Sequence, residues 1–378
     1  MFKKIVQFSH NDLDGYACNV VSQAMSFFLR SEGYGDIPVE IHNCDYASID
    51  SVIHNRLVTT LNNEFDDTLF VVSDISWKSN YITEVFKNTK WFIFADHHRS
   101  SEALGKELAR CDRHGYRCSV SKEGDECGAI QLFRCFEEIL FDNRINLFPR
   151  WNDELNRLAD FLDIVNRWDL WTWASEVNAI NKTNAYTLLN HRAPCLNAYL
   201  DFLLQGVTGE NAHKFTGHMI DLIVNPIECD FDTDLCRLMS DTNGFAEYLR
   251  NQARMIENTC NHYQRVPLPM PIGPDIEALV FLCPVGITNK SLVSILASNK
   301  LRDRGITDYD CLLIHEIGSD TASLRYPTSE DIDLSFVAKY NYLAKDNTGG
   351  GHPFAAGFPI DGDMFVDNLL INKKLWRL

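Results

Sequence analysis

His10, Asp12, Asp14, Asp74, Asp96, His97 and His98 are carboxylates and imidazoles set in short runs, with no thiolate among them. That mixture suits Mn²⁺ or Mg²⁺ better than a structural zinc, which favours cysteine. Two such ions roughly 3.5 to 4 Å apart, bridged by one carboxylate, can clamp a phosphate oxygen and make hydroxide from water at neutral pH. Asp74, on the middle of three turns, is the expected bridge. A single Asp after a strand more often caps the next helix. Acids and histidines at three successive strand ends argue for chemistry instead.

The elements that must position these groups are legible around them. Lys4 to Ser9, Val39 to Asn43, Thr68 to Ser73 and Trp91 to Ala95 are short, rich in Val, Ile and Phe, and separated by stretches long enough for crossover helices. This pattern predicts a parallel α/β sheet. Strand C-termini of an open parallel sheet lie along one edge, so carboxylates from distant sequence converge there. Farther on, Leu155, Leu158, Leu162 and Val165 recur at spacings of three and four and mark one buried helical face. Asp169 is next in that phase, whereas Asp163 falls on the flank. An inward carboxylate is costly without a partner or metal, so Asp169 joins the candidate ligands.

From about 195 to 270 the pattern is mainly helical, ending at the cluster Pro267-Leu268-Pro269-Met270-Pro271, the expected boundary. Strands are then predicted at 278–282, 311–315 and 323–326, and helices at 292–302 and 334–343, giving a smaller α/β domain. Near its end, Gly349-Gly350-Gly351-His352 reads as a loop whose backbone N–H groups approach a phosphate, with the His352 imidazole donating as well. Arg325, ending a predicted strand, suits bidentate phosphate contact. Trp168, Trp171 and Trp173 read first as core, with Trp171 or Trp173 the candidates for base stacking. Cys111, Cys118, Cys127 and Cys135 with His114 lack the short chelating pair of a convincing zinc site.

In combination, Asp12-Leu13-Asp14-Gly15 after the first strand, Asp74 after a later one, Asp96-His97-His98 and the distal Gly-Gly-Gly-His resemble the DHH phosphoesterases with a DHH-associated C-terminal domain. Ser9 to Gly15, Arg167-Trp168-Asp169-Leu170-Trp171 and Ser323-Leu324-Arg325 look most like the oligoribonuclease (nanoRNase) branch. The resemblance implies a catalytic domain over 1–190, a helical connector over 191–271 and a substrate-binding domain over 272–378, with a substrate cleft between the two α/β domains. It further implies a two-Mn²⁺ hydrolase, Mg²⁺ being the alternative ion, that releases nucleoside monophosphates from very short RNA or DNA. Asp12, Asp14, Asp74, His97 and Asp169 are then metal ligands, Asp96 and His98 orient or activate around them, and Arg325, Gly350, Gly351 and His352 hold the phosphate. His10 is a ligand candidate from the cluster itself, two residues before Asp12 where several relatives place a histidine four before. The stretch from Gly105 to Gly128 matches nothing in the family pattern.

The whole chain bounds these expectations. Its 378 residues predict two or three domains, and 35 basic against 52 acidic residues give a net charge of −17, the wrong sign for coating a long duplex. No apolar run approaches the roughly 18 residues of a membrane span. The 12 scattered cysteines, with no CxxC pair, point to a reducing, cytoplasmic setting. A homodimer is compatible with the sequence, which carries no sign of oligomeric state. Two other functions stay open: a phosphodiesterase for cyclic or linear signalling nucleotides, and a catalytically degenerate protein that sequesters nucleotides.

Overall fold

The computed structural model describes residues 1–60, 62–111, 113–121, 126–174, 184–205, 210–227, 230–268, 270, 273–287, 289–329, 331–341, 349–352 and 355–360. The chain divides into two compact units, Met1–Trp173 with Tyr199–Thr242, and Ala174–Ala198 with Asn243–Leu378. Among the described residues, no helix is long and apolar enough to cross a membrane.

The first unit alternates β1 (Lys4–His10), α1 (Leu13–Ser31), β2 (Val39–Cys44), α2 (Ile49–Thr59), α3 (Asn62–Phe65), β3 (Thr68–Ser73), α4 (Asn80–Asn88), β4 (Trp91–Asp96), α5 (Glu102–Leu108), β5 (Tyr116–Val120), α6 (Gly128–Asp142) and α7 (Phe148–Asp169). Its five strands form a parallel sheet in the order β2-β1-β3-β4-β5, as the sequence predicts for its first four members. β3 and β4 are buried along their whole length, and so is β1 between its end residues, which is why they read as continuous apolar runs. β5 carries Arg117, Cys118 and Ser119 and is mostly half-buried, so its run lacks that signature.

Register sets the position of the site. Ser9 pairs with Ser73, and Ser73 with Ala95. The residues that follow them, His10, Asp74 and Asp96, therefore emerge side by side at one edge. The chain goes from β1 to β2 on one side and then to β3 on the other, so the edge also lies where the strand order reverses, the usual ligand crevice of such sheets. Gln7 ties the elements together beneath it: Nε2 donates to Ser73 Oγ at 2.5 Å, and Oε1 accepts from Ser22 Oγ of α1 at 2.7 Å.

The middle of the chain is helical: α8 (Ala185–Leu189), α9 (Arg192–Leu204), α10 (Glu210–Val224), α11 (Phe231–Asp241) and α12 (Phe245–Thr259). α7 is held to α10 and α11 by buried Arg157, which donates Nε to Leu222 O at 2.8 Å and pairs with Asp234 of α11. That anchor fixes the helix whose last residue is Asp169.

The second unit continues with β6 (Gln264–Leu268), β7 (Ile276–Cys283), α13 (Lys290–Asp303), β8 (Cys311–Glu316), β9 (Thr321–Arg325), α14 (Leu334–Tyr340), β10 (Gly350–His352) and β11 (Ala355–Pro359). They form a mixed sheet in the order β10-β11-β9-β8-β7-β6, in which only β7 and β8 pair in parallel among the described residues. The three strands predicted here are β7, β8 and β9; the predicted helices are α13 and α14, with residues 342 and 343 outside the described set. Pro267 lies within β6, an edge strand, the kind of strand to which proline is confined in sheets.

Candidate metal centre

The site begins with the turn from β1 into α1. Asp12 caps α1, its Oδ1 accepting the Gly15 N–H at 3.1 Å. A Cβ on Gly15 would run into the His10 main chain, so the fourth residue of Asp-Leu-Asp-Gly must be glycine for the helix to start this close to the strand. Asp14, one residue into α1, is 1% exposed.

Asp74 follows β3 in the left-handed region, φ 57°, with its N–H bonded to Ala95 O at 2.8 Å. Asp tolerates that conformation better than most residues, and strain of this kind collects at functional sites. After β4, Asp96 Oδ1 accepts the N–H groups of His97 at 2.7 Å and His98 at 3.1 Å, and also meets His98 Nδ1 at 2.8 Å. With Nδ1 engaged, the neutral His98 ring carries its proton there and its lone pair on Nε2. His97 faces the other acids: Nε2 is 3.2 Å from Asp169 Oδ2, 3.3 Å from Asp74 Oδ1 and 3.9 Å from Asp14 Oδ2. His10 Nδ1 lies 2.6 Å from Asp12 Oδ2 and 3.9 Å from Asp74 Oδ2.

Three overlapping groups result, each with ligand atoms within 4.8 Å of one another: Asp74, Asp96, His97 and His98; His10, Asp12 and Asp74; Asp14, His97 and Asp169. Asp74 and His97 each belong to two of them. None of the three contains a cysteine.

Electrostatics favour a cation. Both Asp74 oxygens and Asp169 Oδ2 are buried and have no hydrogen-bond partner among the described residues. Burial, then the charges of Asp14 and Asp12, push both carboxyl groups well above the usual carboxylate range. Asp12 goes the other way: burial raises it, but the charge and hydrogen bond of His10 outweigh that and hold it low. Burial lowers His10 and His98, yet Asp12 and Asp96 respectively more than compensate, so both imidazoles are raised. Buried carboxylates without donors fit divalent ions, which would keep them ionised.

The sequence reading missed the groups that hold Asp14. The N-terminus of α6 points at it: Gly128 N–H donates to Oδ2 at 2.6 Å and Ala129 N–H to Oδ1 at 2.9 Å. The preceding Cys127 N–H is bound by Asn166 Oδ1 of α7 at 2.8 Å. A carboxylate at a helix N-terminus is stabilised by orphan N–H groups and the helix dipole. Backbone donors leave no side-chain signature, so only the glycine at position 128 hinted at close approach.

All eight predicted site residues of the first unit meet at this edge. The others lie together in the second unit. Arg325 Nη1 donates to Leu324 O at 3.0 Å and Ala356 O at 3.4 Å, and burial pushes its guanidinium down to about 10. Gly350, Gly351 and His352 form strand β10 beside β11, where a loop was expected. Gly351 has φ 138°, and a Cβ there would meet Ala356 Cα at 2.7 Å, so strand packing accounts for this glycine. Placement of the His352 side chain lies outside the described set. Of the stacking candidates, Trp173 is fully buried and lies parallel to Trp168 at 5.5 Å, which rules it out as an exposed platform.

Asp163 and Asp169 give an internal contrast. Asp163 is exposed and pairs with Arg167 at 2.8 Å one turn along the helix, an interaction of little net value. Asp163→Asn should leave divalent-ion affinity unchanged, whereas Asp169→Asn should lower it at least about tenfold. Isothermal titration with Mn²⁺ checks both.

No family model matches the chain, and no curated protein matches it in sequence. Among solved structures it is similar to RecJ in complex with Mn²⁺ from Thermus thermophilus, at 14% identity and TM-score 0.50 over 97% of this chain. This chain spans 51% of that RecJ chain, about half its length. A Methanococcus jannaschii chain described provisionally as a family II inorganic pyrophosphatase aligns over 95% of this chain and 94% of its own, at 11% identity and TM-score 0.22. The first of these likenesses establishes the fold: a parallel five-stranded sheet, a helical middle and a C-terminal mixed sheet.

Proposed function

We propose that this protein is a divalent-metal phosphoesterase of the DHH type that hydrolyses very short oligonucleotides to nucleoside monophosphates, with two Mn²⁺ ions as its preferred cofactor. The observation that carries this reading is the buried Asp74 carboxylate and the buried Asp169 Oδ2, which have no hydrogen-bond partner among the described residues, beside His97 at the reversal point of the sheet. Asp12, Asp14, Asp74, His97 and Asp169 would hold the ions, with His10 beside Asp12. Bound ions would polarise a phosphodiester and lower the pKa of water near neutral pH.

The chain's own residues do the rest. The α6 N-terminus orients Asp14, and Asp96 fixes the His98 ring so that its Nε2 can take or give a proton at the reacting phosphate. In the second unit, Arg325 with the Gly350 and Gly351 backbone is the proposed phosphate grip. A charge of −17 supports short substrates over long strands, since a long polyanion needs a broad basic surface.

Incubation of the two-nucleotide RNA ApA with the protein and Mn²⁺ should give one nucleoside monophosphate and one nucleoside per bond hydrolysed, and chelator should stop it. Asp12→Ala should abolish release. Full Mn²⁺-dependent turnover by a folded Asp12→Ala protein would contradict the assignment.

A further inference from the structure

Tyr46 sits at the mouth of the metal centre with no structural task to explain it. The residue lies between the C-terminal end of β2 and the start of α2, and is 46% exposed. Its ring is 5.2 Å from that of His10 at 50°, and 6.3 Å from that of His98 at 88°. It therefore stands against the two partly buried imidazoles of the site and outside the hydrophobic core cluster. Its hydroxyl has no hydrogen-bond partner among the described residues.

The ring is held in place by the turn that carries it. Asp45 Oδ1 accepts the N–H groups of Ala47 at 3.0 Å and Ser48 at 2.7 Å, and the Asp45 N–H reaches Ser48 Oγ at 3.2 Å. This Asx turn fixes the backbone on both sides of residue 46. A large aromatic surface kept half in water on a rigid turn adds little to folding. A preorganised flat surface is, however, what a nucleobase stacks on, and such stacking tolerates any base.

We propose that Tyr46 is the stacking platform for a base of the nucleotide whose phosphate enters the metal centre, making it a specificity-determining residue that favours nucleotides over base-free phosphodiesters. This inference rests on the phosphodiesterase reading of the site. The ring is within one nucleoside's reach of the carboxylates, since His10, against which it lies, is 2.6 Å from Asp12. Stacking uses the ring face and not the hydroxyl.

The test is steady-state hydrolysis of the two-nucleotide RNA ApA and of the same compound with each adenine in turn replaced by an abasic position. Tyr46→Ala should raise KM for ApA about tenfold with kcat nearly unchanged, and leave KM unchanged for one abasic compound. Tyr46→Phe should behave as wild type. Mn²⁺ affinity by calorimetry should be the same in all three proteins. Unchanged KM for ApA in Tyr46→Ala, equal losses on every compound, or a loss in Tyr46→Phe as large as in Tyr46→Ala would each overturn the platform role. Absence of wild-type turnover on all of them would instead sink the phosphodiesterase reading, a result distinct from any of these.

Discussion

Asp74→Asn should abolish Mn²⁺-dependent hydrolysis, by about 10³-fold or more, while making the metal-free protein more stable. Both effects come from one geometry. Asp74 belongs to two of the three candidate ligand groups, so losing one anionic oxygen would weaken ion binding in both. Without ions the same carboxylate is a liability, buried at 1% exposure among Asp12, Asp14 and Asp169 with no donor to either oxygen among the described residues. The amide keeps the shape without the charge, and should gain about 1 to 2 kcal/mol in chelator, read as a higher Tm.

The pH dependence has a defined sign. Asp74 and Asp169 are raised above 3.8 in the folded chain, so the folded state binds more protons than the unfolded one. The contribution of these two groups to stability in chelator should then fall as pH rises above 3.8, and Asp74→Asn should remove its share of that slope. Thermal melts in chelator across pH check it. A variant less stable than wild type at neutral pH would mean that the carboxylate is satisfied without metal.

Gly128→Ala should cost about 10- to 100-fold in Mn²⁺ affinity, the usual penalty for disturbing groups that orient ligands. Gly128 lies at the N-terminus of α6, where helix propensity alone predicts that alanine stabilises the chain. The site predicts the opposite for function. A Cβ at this position would lie 2.8 Å from Asp74 Cβ and 3.0 Å from Asp14 Oδ2, in a spot with no flexible side chain to yield. It would displace Asp74 and disturb the 2.6 Å bond from Gly128 N–H to Asp14. Calorimetric titration with Mn²⁺, with a melting curve in chelator as control, separates loss of ligand geometry from loss of fold.

Most of the candidate metal centre was legible because it combines two strong signals. The apolar runs of β1, β3 and β4 locate strand ends, and acids with imidazoles follow each of them. Asp169 was legible for a related reason, as a charged residue in phase with Leu158, Leu162 and Val165, all buried. What escaped lacked a side-chain pattern. β5 is half-buried and polar on alternate positions, so neither continuous apolarity nor a clean turn marked it. The two N–H groups of α6 that bind Asp14 belong to the backbone, and bring together residues 114 positions apart. Tyr46 looks in sequence like any loop tyrosine, and its meaning comes only from the imidazoles of β1 and of the turn after β4. The Gly350–His352 segment was read as a loop because three glycines suggest freedom, yet pairing with β11 uses that freedom to bring two strands close.

The most direct test of the metal-dependent phosphodiesterase reading is hydrolysis of end-labelled oligonucleotides from two to about twenty residues, with cyclic and linear dinucleotides alongside, in Mn²⁺ and in chelator. Mononucleotide release that needs Mn²⁺, is strongest on the shortest oligomers and disappears in Asp74→Asn is the predicted result. Tight nucleotide binding without turnover of any phosphodiester, or turnover indifferent to both chelator and Asp74→Asn, would contradict it.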